Sequence, residues 1–179
     1  MMNAMTPTLY TIGHSNLTME QFLTALRDIG IRTLVDVRTS PYSGFAPHFN
    51  RESLAKALPV AGIDYRFAGE TLGGRPSDPT CYRHCEIPPP KADYLQLVDY
   101  DEVARRDWYR RGEARLLDLA SDGLTAMMCS EEDPERCHRH HLIARHLTDR
   151  AEVRHVRTKG TETWRIEEAM FAPTQPALL

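Results

Sequence analysis

Short apolar runs alternate with stretches of helical periodicity along most of this chain. Strands are predicted over residues 9–12, 33–37, 63–67, 124–129 and, as the final strand, 153–156. Helices are predicted over residues 19–29, 51–58, 94–103, 108–119 and 137–147. The runs at 33–37 and 124–129 are almost wholly apolar, which is typical of strands covered on both faces of a sheet.

Local signals at the ends of the helices support these boundaries. Thr18 followed by Gln21 forms a capping-box pattern, and a glycine ends the helix that begins there. Near the other end of the chain, Asp133 is the expected N-cap of the 137–147 helix. Cys137 would then lie in the first helical turn, where the helix dipole lowers the pKa of a thiol.

The regular alternation of strands and helices predicts the fold class. It indicates right-handed βαβ units, and therefore an α/β, three-layer domain with a mostly parallel central sheet and helices on both faces. We expect a single domain over residues 1–179, with a core at about 8–157 and a C-terminal tail at about 168–179. A long loop rich in Gly, Pro, Asp and Ser spans residues 73–90, and loops of this length are commonly functional.

Composition and charge narrow the class of protein. The chain has 179 residues, of which 41% are hydrophobic and 26% charged, and this balance suits one globular domain. Its formal charge of -3 gives no global basic field for nucleic acid or an anionic membrane. No apolar run approaches the roughly 18 residues of a membrane span, and no signal peptide is recognisable. We therefore expect a cytoplasmic protein whose four cysteines are reduced thiols or ligands.

Chemically capable side chains end or follow three of the predicted strands. These are His14 and Ser15 at the first, Asp36, Arg38 and Ser40 at the second, and Cys129, Ser130 and Glu131 at the fourth. Because the carboxyl ends of parallel strands meet at one edge of a sheet, we expect these groups to form one site. The segment from Cys129 to Arg139, which also contains Cys137 and His138, is the predicted functional centre.

The cysteines and acids of this segment leave several chemistries open. Cys137 fits a reactive thiol or a packed helix residue, and Cys129 fits a nucleophile or a buried strand residue. Four carboxylates in the loop would repel phosphate or a persulfide anion, which argues against the chemistry of cysteine phosphatases and sulfurtransferases. They belong to Glu131, Glu132, Asp133 and Glu135. Glu131 itself fits a general base, an arginine partner or a metal ligand.

Metal binding is judged from the spacing of the cysteines and histidines. Cys137 and His141 share a helix face, but no pair in this segment has the close Cys–Cys spacing of a closed zinc site. Cys81 and Cys85 have a short spacing but lie in the long loop. We therefore assign no metal ligand and predict no particular cofactor, and His140 is expected to be a solvated helix residue.

Arginines and aromatic residues near the strand ends suggest the class of ligand. The arginines are Arg38, Arg75, Arg83 and Arg139, and the aromatic residues are Tyr42, Phe45, Phe49 and Tyr65. Arginine binds phosphate or carboxylate in a bidentate manner, and aromatic rings stack on bases, although both residue types also serve surfaces and cores. A small anionic or nucleotide-like ligand is therefore predicted, with nucleic acid as the weaker alternative.

Several of these motifs occur together in one bacterial family. They are Thr11-Ile-Gly-His-Ser15, Leu34-Val-Asp-Val-Arg38 with Ser40-Pro41, Pro47-His-Phe-Asn50, Tyr65 with Leu72-Gly-Gly74, and Met128-Cys-Ser-Glu131 leading to Cys137-His-Arg139. In this order, over residues 8–157, they resemble the family called domain of unknown function 488. The resemblance implies a compact α/β domain. It also implies the motif positions His14, Ser15, Asp36, Arg38, Cys129, Glu131, Cys137, His138 and Arg139.

Two stretches depart from the family pattern. Ser43-Gly44-Phe45 stands where members often have a basic Ser-Arg stretch. The long loop carries Cys81, Cys85 and Pro88-Pro-Pro90, where many relatives are rich in Arg, Trp and Gly. Both departures weaken the prediction of a basic surface for nucleic acid.

The favoured hypothesis is an enzyme acting on a small anionic or nucleotide-like substrate at the strand-end site. The predicted catalytic residues are His14, Asp36, Glu131, Cys137 and His138, and the predicted substrate-binding residues are Ser15, Arg38, Ser40, Cys129 and Arg139. Two alternatives stay open. One is a metal- or redox-dependent protein that uses Cys129, Cys137 and a histidine, and the other is a non-catalytic module that binds nucleic acid or a protein. The reaction class and the oligomeric state are not predicted.

Overall fold

A single six-stranded sheet organises the chain in this computed structural model, which describes residues 6–158 and 164–171. The strands are β1 (Thr8–Gly13), β2 (Thr33–Asp36), β3 (Asp64–Phe67), β4 (Thr125–Cys129), β5 (Glu152–Arg157) and β6 (Arg165–Glu168). Their order across the sheet is β3-β2-β4-β1-β5-β6. The first five strands pair in parallel, and β6 pairs antiparallel with β5.

Helices connect the parallel strands, as the alternating pattern predicts. They are α1 (Met19–Ile29), α2 (Arg51–Val60), α3 (Gly69–Leu72), α4 (Tyr94–Leu97), α5 (Tyr100–Ala104), α6 (Asp107–Asp122) and α7 (Arg145–Leu147). A π-helical turn, Arg139–Ala144, runs directly into α7, and short 3-10 turns lie at Pro47–Phe49, Pro79–Cys81 and Pro134–Arg136. The capping box of Thr18 and Gln21 is present at the start of α1, and Gly30 ends that helix with φ 84°.

The sheet is covered on both faces, so the three-layer α/β prediction is confirmed. Successive residues of β4 alternate between two cores: Ala126 and Met128 belong to one, Met127 and Cys129 to the other. The first core contains the apolar residues of α1 and α2. The second contains those of α5, α6 and the π-helical turn. Both cores are almost fully shielded from solvent, which explains the continuous apolar pattern of β2 and β4.

The predictions for Cys137 and for the last strand of the sheet were wrong. Cys137 does not lie in a helix: Asp133 caps the separate 3-10 turn Pro134–Arg136, and Cys137 is extended, with φ -141° and ψ 144°. Its thiol therefore gains nothing from a first-turn helix dipole. The chain also has a strand after β5, since Arg165–Glu168 forms the edge strand β6. The charged residues of β6 leave no apolar pattern to detect, and such residues are common on strands at a sheet edge.

The order of the strands creates a crevice at their carboxyl ends. β2 and β4 are neighbours, but the helices that follow them pack on opposite faces of the sheet. The loops that leave the two strands therefore diverge, and ligand sites of open α/β folds lie in such gaps. Among the described residues, no helix combines the length and apolar character that crossing a membrane requires.

Candidate active site

A cavity of about 580 Å³ opens where β2 and β4 end. From β2 it is lined by Arg38, Thr39, Ser40 and Tyr42, and from β4 by Cys129, Ser130 and Glu131. The rest of the lining consists of Arg136, Cys137, His138, Gly74, Arg75, residues 92–95 and Tyr100. This volume lies within the range of about 300–1,000 Å³ that is common for small-molecule sites.

The floor of the cavity is a buried group of two thiols and one imidazole. The Nδ1 atom of His138 lies 3.8 Å from the Sγ atom of Cys129 and 3.7 Å from that of Cys137. The Nε2 atom of the same ring lies 3.1 Å from the backbone oxygen of Val37. A carbonyl only accepts, so Nε2 carries the proton, and the lone pair of Nδ1 faces both sulfur atoms.

The two thiols of the floor differ in acidity. A hydrogen bond to Cys137, together with burial, raises the pKa of Cys129 well above its ordinary value. Burial alone would also raise the pKa of Cys137, but the hydrogen bond from Cys129, the neighbouring imidazole of His138 and the charge of Arg139 lower it well below its ordinary value. Burial and these two cysteines also raise the pKa of Tyr100, so its hydroxyl group is kept protonated above them.

A glycine allows the histidine ring to reach this position. A Cβ atom at Gly74 would lie only 2.5 Å from Cγ of His138, closer than side chains tolerate. The Gly73-Gly74 element therefore has a steric function, because it lets the backbone of the long loop pack against the imidazole. Gly13 serves similarly at the end of β1, where an added Cβ would collide with the backbone of Glu131.

Beside the cavity, Arg38 forms a buried ion pair with Asp36. Its Nε donates to Oδ1 of Asp36 at 2.8 Å and its Nη2 to Oδ2 at 2.6 Å, a bidentate arrangement. Nη2 also donates to the backbone oxygen of Phe49, and the hydroxyl of Tyr65 donates to Asp36 at 2.8 Å. These contacts hold the guanidinium rigidly through Nε and Nη2.

His14 supports Arg38 and does not line the cavity. Its Nδ1 donates to the backbone oxygen of Ser15 at 3.1 Å, which leaves Nε2 to accept from Nη1 of Arg38 at 3.3 Å. The ring stacks on Phe49, with centroids 4.3 Å apart. Burial and the charge of Arg38 lower the pKa of His14 to about 4, so the ring is neutral near pH 7. Asp36 and Ser15 likewise lie outside the cavity lining.

Arg139 is wholly buried and holds the loop after β4 in place. Its Nη1 donates to the backbone oxygen of Glu131 at 2.5 Å and its Nη2 to that of Glu132 at 2.6 Å. Its Nε donates to the hydroxyl of Thr11 at 3.1 Å. All three nitrogen atoms of this guanidinium are thus engaged by the protein, behind the cavity wall.

The acidic loop directs little of its charge into the cavity. Arg157 binds both carboxylate oxygens of Glu132, at 3.0 and 3.2 Å, and lies 3.9 Å from Asp133. Of the four acids in this loop, Glu131 alone lines the cavity. The repulsion of an anion that the sequence suggested is therefore reduced, because Arg157 of β5 offsets the charge of Glu132 and lies near Asp133.

The predicted site residues fall into two groups, and none of their proposed roles is tested by position alone. Those that line the cavity are Arg38, Ser40, Cys129, Glu131, Cys137 and His138, whereas His14, Ser15, Asp36 and Arg139 lie behind them. Sequence reasoning did not single out Tyr100 or Arg136. Tyr100 follows no predicted strand and stands in no recognisable motif, so no local signal could have found it.

Comparison with known proteins confirms the family that the sequence resembles, over a range that begins after the motif at residues 11–15. The family model described as domain of unknown function DUF488 matches residues 18–146, well over half of the chain. The chain belongs to this family. The DUF488 match includes β2, β4 and the complete floor of the cavity. No curated protein and no solved structure matches the chain.

Proposed function

We propose that this DUF488 protein is an enzyme that acts on a small anionic, nucleotide-like substrate in the strand-end cavity. One observation carries the proposal: a buried group of reactive side chains and a cationic rim share one cavity of ligand size. Thiols and imidazoles that serve only for packing need no access to a ligand. Here Cys129, Cys137 and His138 are at most 8% exposed, yet all three line the cavity.

The rim supplies the cationic groups for an anion. Arg75 and Arg136 both line the cavity and are exposed. Within the described part of the chain, neither forms an ion pair with a carboxylate. The Arg75 guanidinium packs over the ring of Tyr94, 4.3 Å from its centroid, and its Nη1 donates to the backbone oxygen of Pro90 at 3.4 Å, so the group is oriented while other N–H donors stay available. Such a planar group suits bidentate binding of phosphate.

An exposed aromatic side chain in the cavity lining favours a nucleotide over other small anions as the ligand. Tyr42 lines the cavity and is 74% exposed, so its ring is available to stack on a base. Stacking of this kind contributes about 1–3 kcal/mol per base. Phe45, three residues further on, is fully exposed but is not part of the lining, and it offers a matched control.

We assign the proposed roles as follows. The Glu131 carboxylate acts as general acid or base, since it lines the cavity and has no hydrogen-bond or ionic partner among the described residues. Arg38 binds the anion through Nη1, while Asp36 and His14 are positioning residues for Arg38. The Ser40 hydroxyl adds a neutral donor.

Binding of the anion is tested by calorimetry on the full chain with inorganic phosphate, pyrophosphate and 5′-mononucleotides. Arg75→Ala and Arg136→Ala should each weaken binding about tenfold or more, because a charge-assisted hydrogen bond contributes about 1.5–3 kcal/mol. Arg145→Ala, which removes an exposed arginine outside the cavity, should leave the affinity unchanged. Absence of binding by every phosphate compound, or an equal effect of the control, would contradict the proposal.

Two further measurements distinguish nucleotide binding and catalysis from the binding of an anion alone. Tyr42→Ala should weaken mononucleotide binding but not phosphate binding, and Phe45→Ala should change neither. Products of the bound nucleotide are then sought by chromatography, and Glu131→Gln should lower turnover about 10²–10⁴-fold while preserving affinity. If bound ligands remain unchanged chemically, the protein is a binding module and not an enzyme.

A further inference from the structure

We propose that Cys129, Cys137 and His138 bind one zinc-class divalent ion, with one coordination position left open towards the cavity. The use of this open position rests on the proposed function, whereas binding of the ion does not. The spacing along the chain did not match a closed zinc site, although the sequence left open a metal protein that uses Cys129, Cys137 and a histidine. The ligands come from the end of β4, from the residue after a 3-10 turn and from the residue before the π-helical turn.

The distances within the group are close to those around a tetrahedral ion. With Zn–S at about 2.3 Å, Zn–N at about 2.0–2.1 Å and tetrahedral angles, the sulfur and nitrogen ligands would lie about 3.6 Å apart. The observed separations from Nδ1 of His138 are 3.8 Å to Cys129 and 3.7 Å to Cys137. All three ligand atoms lie within 4.8 Å of one another. The two sulfur-to-nitrogen separations therefore need shifts of only about 0.1–0.2 Å to reach the tetrahedral value.

The tautomer of the imidazole is the one a metal requires. Nε2 of His138 donates to the backbone oxygen of Val37 at 3.1 Å, so Nδ1 carries the lone pair that faces the sulfur atoms. Metal-bound histidines usually donate their second ring N–H to a carbonyl or carboxylate, which fixes the ring and raises its basicity. One lone pair can accept only one S–H donor well, whereas one ion satisfies all three groups together.

The group is also organised before any ion arrives. All three residues are at most 8% exposed, and Gly74 packs directly on the ring of His138. Cys137 is held by its backbone N–H, which donates to Pro134 at 3.0 Å. Little conformational freedom is then lost on binding, which favours affinity.

Three protein ligands are typical of a catalytic metal site and not of a structural one. Structural zinc sites have four protein ligands, while catalytic sites have three and keep a position for water or substrate. Among the described residues, no fourth Cys, His, Asp or Glu joins the group. The open position would face the cavity, where the carboxylate of Glu131 lies on the wall. An oxygen atom of the substrate anion, or a water molecule, is the fourth ligand we infer.

Charge links the ion to the proposed substrate. Binding releases the thiol protons and gives two thiolates, whose charge a divalent ion cancels. The metal-loaded floor is then neutral, and the open position of the ion lies in the same cavity as the two arginines of the rim. The ion and the arginines can bind one anion together, so we expect phosphate compounds to bind more tightly after metal loading.

The experiment uses the full chain without a histidine tag, reduced and supplied with excess Zn²⁺ and then dialysed. Elemental analysis should give one zinc ion per chain. Loading with Co²⁺ should produce the thiolate-to-cobalt charge-transfer band and the strong visible bands of a tetrahedral site. Cys137→Ser and His138→Asn should abolish both signals. Cys85→Ala and His141→Asn, which alter residues outside the group, should preserve them.

Several results would overturn the site. They are zinc retained at well below one ion per chain by the wild type, a cobalt spectrum without thiolate character, or unchanged binding in folded Cys137→Ser protein. If the variants fail to fold, the wild-type stoichiometry and spectrum still decide. A metal-loaded protein that ignores every phosphate compound would refute the proposed function alone. A protein that binds phosphate but no metal would refute the metal site alone.

Discussion

Lowering the pH from about 7.5 to about 5 should destabilise the protein through His155, a buried residue of β5. Nε of Arg139 donates to the hydroxyl of Thr11, so that hydroxyl directs its own proton to Nδ1 of His155 at 2.8 Å. The ring proton of His155 is then on Nε2 and is donated to Nδ1 of His140 at 3.0 Å. Both ring nitrogens are satisfied in the neutral form, and a second proton would face the Thr11 hydrogen.

The magnitude follows from the pKa of His155 in the two states. Burial and the charge of Arg139 lower this pKa from the ordinary 6.5 to about 3. Between these values the unfolded chain binds the proton and the folded chain does not, so stability is full above pH 6.5 and is lost as the pH falls. At about pH 5 the loss is about 2 kcal/mol. If the pKa of His155 in the folded state were one unit higher, this loss would change little. The loss at about pH 5 is determined by protonation of His155 in the unfolded chain.

Urea unfolding of the wild type and of His155→Gln at both pH values measures the effect. Glutamine keeps one donor and one acceptor but does not titrate, so the stability advantage of the wild type should shrink by about 2 kcal/mol on acidification. His14 titrates in both proteins, so its contribution cancels in the difference between their stabilities. His84→Gln, at an exposed position, should follow the wild type. An advantage that is equal at the two pH values would refute the network and its direction of donation.

Two further substitutions test the architecture of the site. Asp36→Asn leaves the guanidinium of Arg38 buried without its counter-charge, and the free energy of unfolding in urea should fall by about 3–5 kcal/mol; a loss below about 1 kcal/mol would contradict the buried ion pair. Gly74→Ala places a Cβ 2.5 Å from the ring of His138, so the zinc stoichiometry and the phosphate affinity should both fall. Gly44→Ala, whose Cβ meets nothing within 4 Å, should change neither quantity, and equal behaviour of the two variants would refute the steric function of Gly74.

The strands, and the reactive side chains that follow them, were predictable because their signals are local. Apolar runs mark β2 and β4, and the capping box of Thr18 marks α1. Once a parallel sheet is assumed, the side chains that follow its strands must gather at one edge. This reasoning correctly brought Arg38 near Cys129 and Glu131, which line one cavity.

The errors lie where distant residues decide the local structure. Cys137 follows an ordinary cap and begins an apolar helical pattern. In the structure, however, it is extended and in contact with Cys129 and His138. His140, expected in solvent, is 9% exposed, and it accepts a hydrogen bond from His155 and stacks on Phe171. The hydrophobic periodicity of one segment cannot predict these contacts, because they join residues from distant segments.

The sequence by itself determined the fold class, the edge of the sheet that carries the site and most of the residue types found there. Periodicity and capping act over a few residues, so a linear pattern contains them. Only the tertiary structure decided which groups share a wall and which nitrogen of an imidazole holds its proton. The bond from His138 to Val37 joins residues 101 positions apart and directs the ring towards the two thiols. Such geometry depends on how distant segments pack, and this packing places two cysteines and one histidine of the segment from Cys129 to Arg139 together beside a cavity.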